Sequence, residues 1–131
     1  MTLQIHVRQG CLIVEMPAEV DISNAERLRA ELRDVCRGRL APQSKGRISS
    51  VVVDWSAAPF LTMAGTAVLE GFRQAVRETS TPFMVVVPKG LPRKVLHIVG
   101  WDEQMPLLDS LDQALMQARG VGDFGGSREP G

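Results

Sequence analysis

The 131-residue sequence carries no surplus of charge of either sign: 15 Lys and Arg stand against 15 Asp and Glu, for a formal net charge of zero. A protein that neutralises nucleic-acid phosphates or lies on an anionic bilayer normally shows a basic excess, so neither nucleic acid nor membrane is an expected partner. Long apolar runs are missing as well. The longest, Phe83 to Val87, has five residues, whereas a membrane-crossing helix needs roughly 20. The start of the chain, Met1-Thr2-Leu3-Gln4-Ile5-His6, lacks the charged stretch and apolar core of a secretory signal, which makes the cytoplasm the expected location. The two cysteines, Cys11 and Cys36, are too few for a disulfide scaffold and are not spaced as metal ligands, so reduced thiols are expected.

What is present is a composition of 44% hydrophobic residues, enough for one domain with its own core. Leu3 to Met16 reads as a β-hairpin turning at Gln9-Gly10, with Leu3, Ile5, Val7, Leu12, Val14 and Met16 on a buried face. Gln4, His6, Arg8, Cys11 and Glu15 fall on the other, mostly wet face. Ser23 and Glu26 read as a capping box for a first helix that carries Ala25, Leu28, Leu32, Val35 and Cys36 at helical spacing to about Arg37. A loop over 38–47 leads to a strand over Ile48 to Asp54, whose unbroken Val51-Val52-Val53 suits a strand covered on both faces. A second helix follows Pro59 and places Ala64, Ala67, Val68, Gly71, Phe72, Ala75 and Val76 on one face. Next come a buried strand, Phe83 to Val87, and a short helix of Leu91, Val95, Ile98 and Val99 stopped by Gly100. A brief strand at Met105 to Leu108 and a last helix capped by Ser110 and Gln113 complete the order. This is an α/β chain with a mixed, mostly parallel sheet of four to five strands, an N-terminal hairpin and about four helices. Residues 1–118 form the domain, and 119–131, with five glycines, read as a disordered tail.

In such a sheet the functional loops are those leaving the carboxyl ends of the strands. Here they are Glu19-Val20-Asp21-Ile22-Ser23 and the segment from Asp54 to Gly65. Asp21 and Asp54 are more simply read as acids that order their own loops than as a catalytic pair. His6 and His97 have no companions at ligand spacing, so no metal or other cofactor is expected. Cys11 and Cys36 lack the setting that activates a thiolate. The arginines from Arg27 to Arg39 interleave with Glu26, Glu31 and Asp34 as a charge-paired, solvated face. Asp54 at a strand end suggests a phospho-accepting receiver domain, but the first strand runs straight into a hairpin and offers no acidic pair for magnesium. No loop assembles a nucleophile, base and oxyanion site, so an enzyme is not expected.

Over Leu3 to Ala118 the sequence resembles the STAS family, the domain of bacterial anti-sigma factor antagonists. Glu19-Val20-Asp21 and the helix after it resemble the family's Gly-Glu-Leu-Asp segment, and Val51-Val52-Val53-Asp54-Trp55-Ser56 resembles its strand ending Asp-Leu-Ser. Phe60-Leu61-Thr62-Met63-Ala64-Gly65 lies where the family has Phe-Leu-Asp-Ser-Ser-Gly. Val95 to Asp102 resembles a helix ending in Gly-Leu-Asp, and Asp109 to Ala114 resembles the start of the final helix. The resemblance implies a non-enzymatic protein that binds an anti-sigma factor, often a serine kinase, and is switched off when the serine before the glycine is phosphorylated. Here that position is Ala64, which has no hydroxyl, while Met63 and Thr62 occupy the two positions before it. The expected partner face comprises Glu19, Asp21, Ser23, Pro59, Phe60, Leu61, Thr62, Met63, Ala64 and Gly65, with Thr62 as helix cap. Two other readings stay open: a scaffold or unregulated pseudo-antagonist, and a module holding a nucleotide or lipid headgroup at its helix N-termini. A homodimer is also left open.

Overall fold

The computed structural model describes residues 3–40, 48–57, 62–87, 90–98, 100–103 and 105–118. Strands β1 (Gln4–Arg8) and β2 (Cys11–Glu15) form the antiparallel hairpin, in the expected register of Val7 with Leu12 and Ile5 with Val14. The turn needs positive φ at two consecutive residues, 54° at Gln9 and 80° at Gly10, the geometry whose twist matches that of paired strands. Helix α1 (Ile22–Arg39) then leads to β3 (Ser50–Asp54), α2 (Met63–Arg77) to β4 (Phe83–Val86), and α3 (Leu91–Ile98) with a 3₁₀ turn (Trp101–Glu103) to β5 (Leu107–Leu108). A final helix, α4, covers 111–118. The strand order is β1-β2-β3-β4-β5, with every pair parallel except the hairpin.

Alternation along the inner strands divides the core in two. Leu12, Val14, Val51, Val53, Val85 and Val87 face α1, α2 and α3, where Leu28, Leu32, Val68, Leu69, Phe72, Val76 and Leu96 close the larger cluster. Cys11, Ile13, Val52, Met84 and Val86 point the other way, onto Ala114, Leu115 and Ala118 of α4. This corrects the expectation of a wet outer hairpin face. Cys11 is buried and its thiol lies 3.2 Å from the Ser50 hydroxyl, because α4 covers that side of β2. On that face the outer residues of β1, at the sheet edge, and Glu15 at the end of β2 stay open, with His6 3.7 Å from Glu15.

Two further expectations shift. Helix α1 begins earlier than the Ser23–Glu26 box implied: Asp21 is the cap and Asn24 closes the box, which frees Glu26 to pair with Arg29 at 2.9 Å. On α2 the buried set is Gly65, Val68, Leu69, Phe72 and Val76, and Ala67 and Gly71 are exposed. Val68, Phe72 and Val76 are buried as expected, but burying Leu69 removes more apolar surface than burying Ala67 or Gly71, so the buried face is turned toward Gly65 and Leu69 and away from those two. At α4 the Ser110 hydroxyl accepts the Gln113 amide at 3.2 Å, while the Gln113 side chain reaches the Asp109 amide at 2.9 Å rather than that of Ser110. The glycine-rich segment 119–131 lies outside the described residues.

Candidate functional site

The loop after β2 is ordered by its own side chains. Asp21, in extended conformation, accepts the backbone N–H and the hydroxyl of Ser23 at 2.9 and 2.5 Å. Asn24 accepts the Asp21 N–H at 2.9 Å and donates its amide to the Glu19 carbonyl at 3.0 Å, which ties the whole Glu19–Asp21 stretch to the first turn of α1. The Ser23 hydroxyl first, and backbone N–H groups after it, hold the Asp21 carboxyl below the usual aspartate range.

The start of α2 is capped as expected by Thr62, whose hydroxyl oxygen accepts the Gly65 N–H at 2.9 Å. The same hydroxyl donates its proton to the Val20 carbonyl at 2.5 Å. One side chain therefore closes a helix and binds the Asp21 loop to it. This bond joins the described ends of the two loops, at Val20 and Thr62, beyond the carboxyl ends of β2 and β3. The Thr66 hydroxyl is turned back into its own helix, donating to the Met63 carbonyl at 2.9 Å.

Beneath this surface Gly65 meets the ring of Trp55. A Cβ there would lie 3.1 Å from Trp55 Cζ2 and 3.2 Å from Thr62 Oγ1, so the position admits glycine with little room to spare. Ala64 is half-buried against the core, and Met63 is 89% exposed. Ile22, equally exposed at 89%, stands at the first position of α1; the sequence placed it in the loop before that helix but not on the expected partner face. Glu19, Asp21 and Ser23 are exposed, while Pro59, Phe60 and Leu61 lie outside the described residues.

The pattern of the STAS domain matches residues 2–114 of the chain. The chain belongs to the STAS domain family. It is 24% identical over 120 residues to the anti-sigma-F factor antagonist RsfB of Mycobacterium tuberculosis, covering 92% of this chain and 91% of that protein. Its fold matches the crystal structure of an anti-sigma factor antagonist from Mycobacterium paratuberculosis with a TM-score of 0.74 and 25% identity, over 90% of this chain and 93% of the other. The Bacillus antagonist SpoIIAA, in its unphosphorylated form, matches with a TM-score of 0.68 and 17% identity, over 91% and 97% of the two chains.

The remaining candidate residues of this STAS domain are engaged locally. The Asp54 carboxylate accepts the N–H and hydroxyl of Ser56 at 3.0 and 2.7 Å, while Asp21 is engaged by Ser23, so each acid orders its own loop. Cys36 is half-buried, and burial first and the Glu78 charge second push its thiol up, away from nucleophilic character. Among the described residues no group of three His, Cys, Asp or Glu is arranged to hold a metal ion, and no helix is long and apolar enough to cross a membrane.

Proposed function

We propose that this STAS domain is an anti-sigma factor antagonist that engages an anti-sigma factor of the serine-kinase type through the joined starts of α1 and α2, and that it does so without the phosphorylation switch. The observation that carries the reading is the Thr62 hydroxyl held between the Val20 carbonyl and the Gly65 amide, which supports one surface presenting Asp21, Ile22 and Met63 together. Exposed apolar side chains, methionine among them, beside a polar rim suit the centre of an interface. The relatives named as anti-sigma factor antagonists, matched over nine-tenths of the chain, support the choice of partner.

Loss of the switch rests on Ala64, which lacks a hydroxyl, and on the nearest alternatives being occupied. The Thr62 proton is committed to Val20 and the Thr66 proton to its own helix. The reading assigns the protein no catalytic step of its own. The test is binding of the purified chain to the serine-kinase-type anti-sigma factors of its own organism, with ATP supplied. Wild-type protein binds and gains no phosphate, Ala64→Ser gains phosphate and is released, and Met63→Asp binds weakly from the outset. Failure of every such anti-sigma factor to bind, or equal binding by Met63→Asp, refutes the assignment of the surface. Phosphate appearing on wild-type protein refutes the missing switch.

A further inference from the structure

At the opposite end of α2 lies an open cavity of about 510 Å³, lined by Arg73, Arg77, Ser80, Thr81, Pro82, Phe83 and Met105. We propose that it is a binding site for a small organic anion with a planar apolar body, the anionic group held by Arg77 and Ser80 and the body resting on Phe83 and Met105. The volume falls within the range of small-molecule sites, which combine an apolar lining with a few convergent polar groups.

The charge of the cavity comes from two guanidinium groups one helical turn apart, and no carboxylate is among its described lining residues. Arg73, with only 12% of its side chain exposed, is fixed by two bonds to Glu70, at 3.1 Å from Nε and 2.9 Å from Nη2. It forms a positioned wall rather than a mobile ligand. Arg77 is exposed and has no ion-pair partner among the described residues. The end of a helix ordinarily repels an anion, but here the last carbonyls are taken: Gln74, Val76 and Arg77 accept the N–H groups of Glu78, Thr79 and Ser80 at 2.9–3.1 Å. With Arg73 paired to Glu70, the positive charge offered to an anion is that of Arg77.

The turn that follows is held in an unusual shape. Ser80 has φ of 60°, a left-handed conformation costly for a residue with a Cβ, and such strain collects at functional sites. Its hydroxyl makes no hydrogen bond among the described residues, whereas Thr81 is held by the Thr79 hydroxyl at 2.7 Å. Phe83 stands edge-on to Phe72, with centroids 5.7 Å apart, so its ring is fixed as a floor, and Met105 beside it is buried. The site lies at the amino ends of β4 and β5, separated from the partner surface by the full length of α2, so it does not depend on the proposed function.

The test titrates the full, isotope-labelled chain with phenyl phosphate, inorganic phosphate and benzyl alcohol while backbone amide shifts are followed. Phenyl phosphate is expected to saturate with shifts at Ser80, Thr81 and Phe83, and each half-molecule to bind more weakly. Arg77→Gln changes an exposed side chain that has no ion-pair partner among the described residues, and it is expected to weaken phenyl phosphate about tenfold, the loss of one charge-assisted contact. No saturable shift at these amides, shifts centred instead on residues 62–66, or wild-type affinity in Arg77→Gln overturns the proposal.

Discussion

The same substitution at two glycines of α2 is expected to change stability in opposite directions. At Gly65 an added methyl meets Trp55 Cζ2 at 3.1 Å, Thr62 Oγ1 at 3.2 Å and Trp55 Cη2 at 3.3 Å. Neither neighbour can yield easily: Trp55 is 2% exposed within the larger core, and Thr62 Oγ1 is held by bonds to Val20 and Gly65. Crowding of this kind costs about 1–3 kcal/mol, against which alanine recovers up to about 1 kcal/mol of helix propensity. Gly65→Ala is therefore destabilising by about 1–2 kcal/mol. At Gly71 the methyl meets nothing within 4 Å, so only the propensity remains and the variant gains about 0.5–1 kcal/mol. The gap of about 2 kcal/mol corresponds to roughly 1 M in urea midpoint at a slope of about 2 kcal/mol/M. Urea unfolding followed by circular dichroism measures both variants against wild type. If Gly65→Ala unfolds at the wild-type midpoint or later, the close approach of helix and indole is not as described; a loss in Gly71→Ala would mean that the outer face of α2 is packed.

Three further outcomes follow from the same structure. Thr62→Val removes both the cap and the Val20 bridge while keeping the side-chain shape, and should lower stability by about 1–2 kcal/mol, with Thr62→Ser retaining most of it; equal urea midpoints for Val and wild type would dismiss the bridge. Asp21 has a depressed pKa, so its stabilising contribution is present above the ordinary aspartate pKa of about 3.9 and disappears as pH falls through the lower folded value. Asp21→Asn should therefore differ from wild type in midpoint at neutral pH and converge with it in strong acid, and a constant offset across the titration would contradict the assignment. Ile13→Ala, at a fully buried position under α4, should cost about 2–5 kcal/mol in thermal or urea unfolding, whereas a wet hairpin face would make it nearly silent.

Much of the sheet was legible because its signals are local. The Gln9-Gly10 turn set the hairpin register, and Val51-Val52-Val53 announced a strand covered on both sides. The face of α2 was less legible: Val68, Phe72 and Val76 were read correctly, but Ala67 and Gly71 share their helical spacing, and Leu69, off that row, is the residue buried in their stead. Burial of Cys11 depends on α4, more than a hundred positions away in sequence, and no local pattern carries that information. For the candidate site, Thr62 could be read as a cap from its place before α2. Its second bond, to Val20, could not, because it joins residues 42 apart and depends on how two loops meet. Ile22, read as part of the loop before α1, was left off the partner face because a single aliphatic residue carries no local sign of its exposure; the 89% is visible only once the direction of the first turn is fixed.

The buried tryptophans give the molecule two intrinsic optical probes at its two ends. The Trp55 indole lies under Gly65 at the start of α2, and its N–H has no hydrogen-bond partner among the described residues. Trp101, also buried, accepts through its backbone carbonyl the amide of Met105, a residue that lines the cavity, at 3.1 Å. Emission from a Trp101→Phe protein therefore reports events at the joined helix starts, and emission from Trp55→Phe those at the cavity, so occupancy of either end can be followed in unlabelled protein and asked whether one end senses the other.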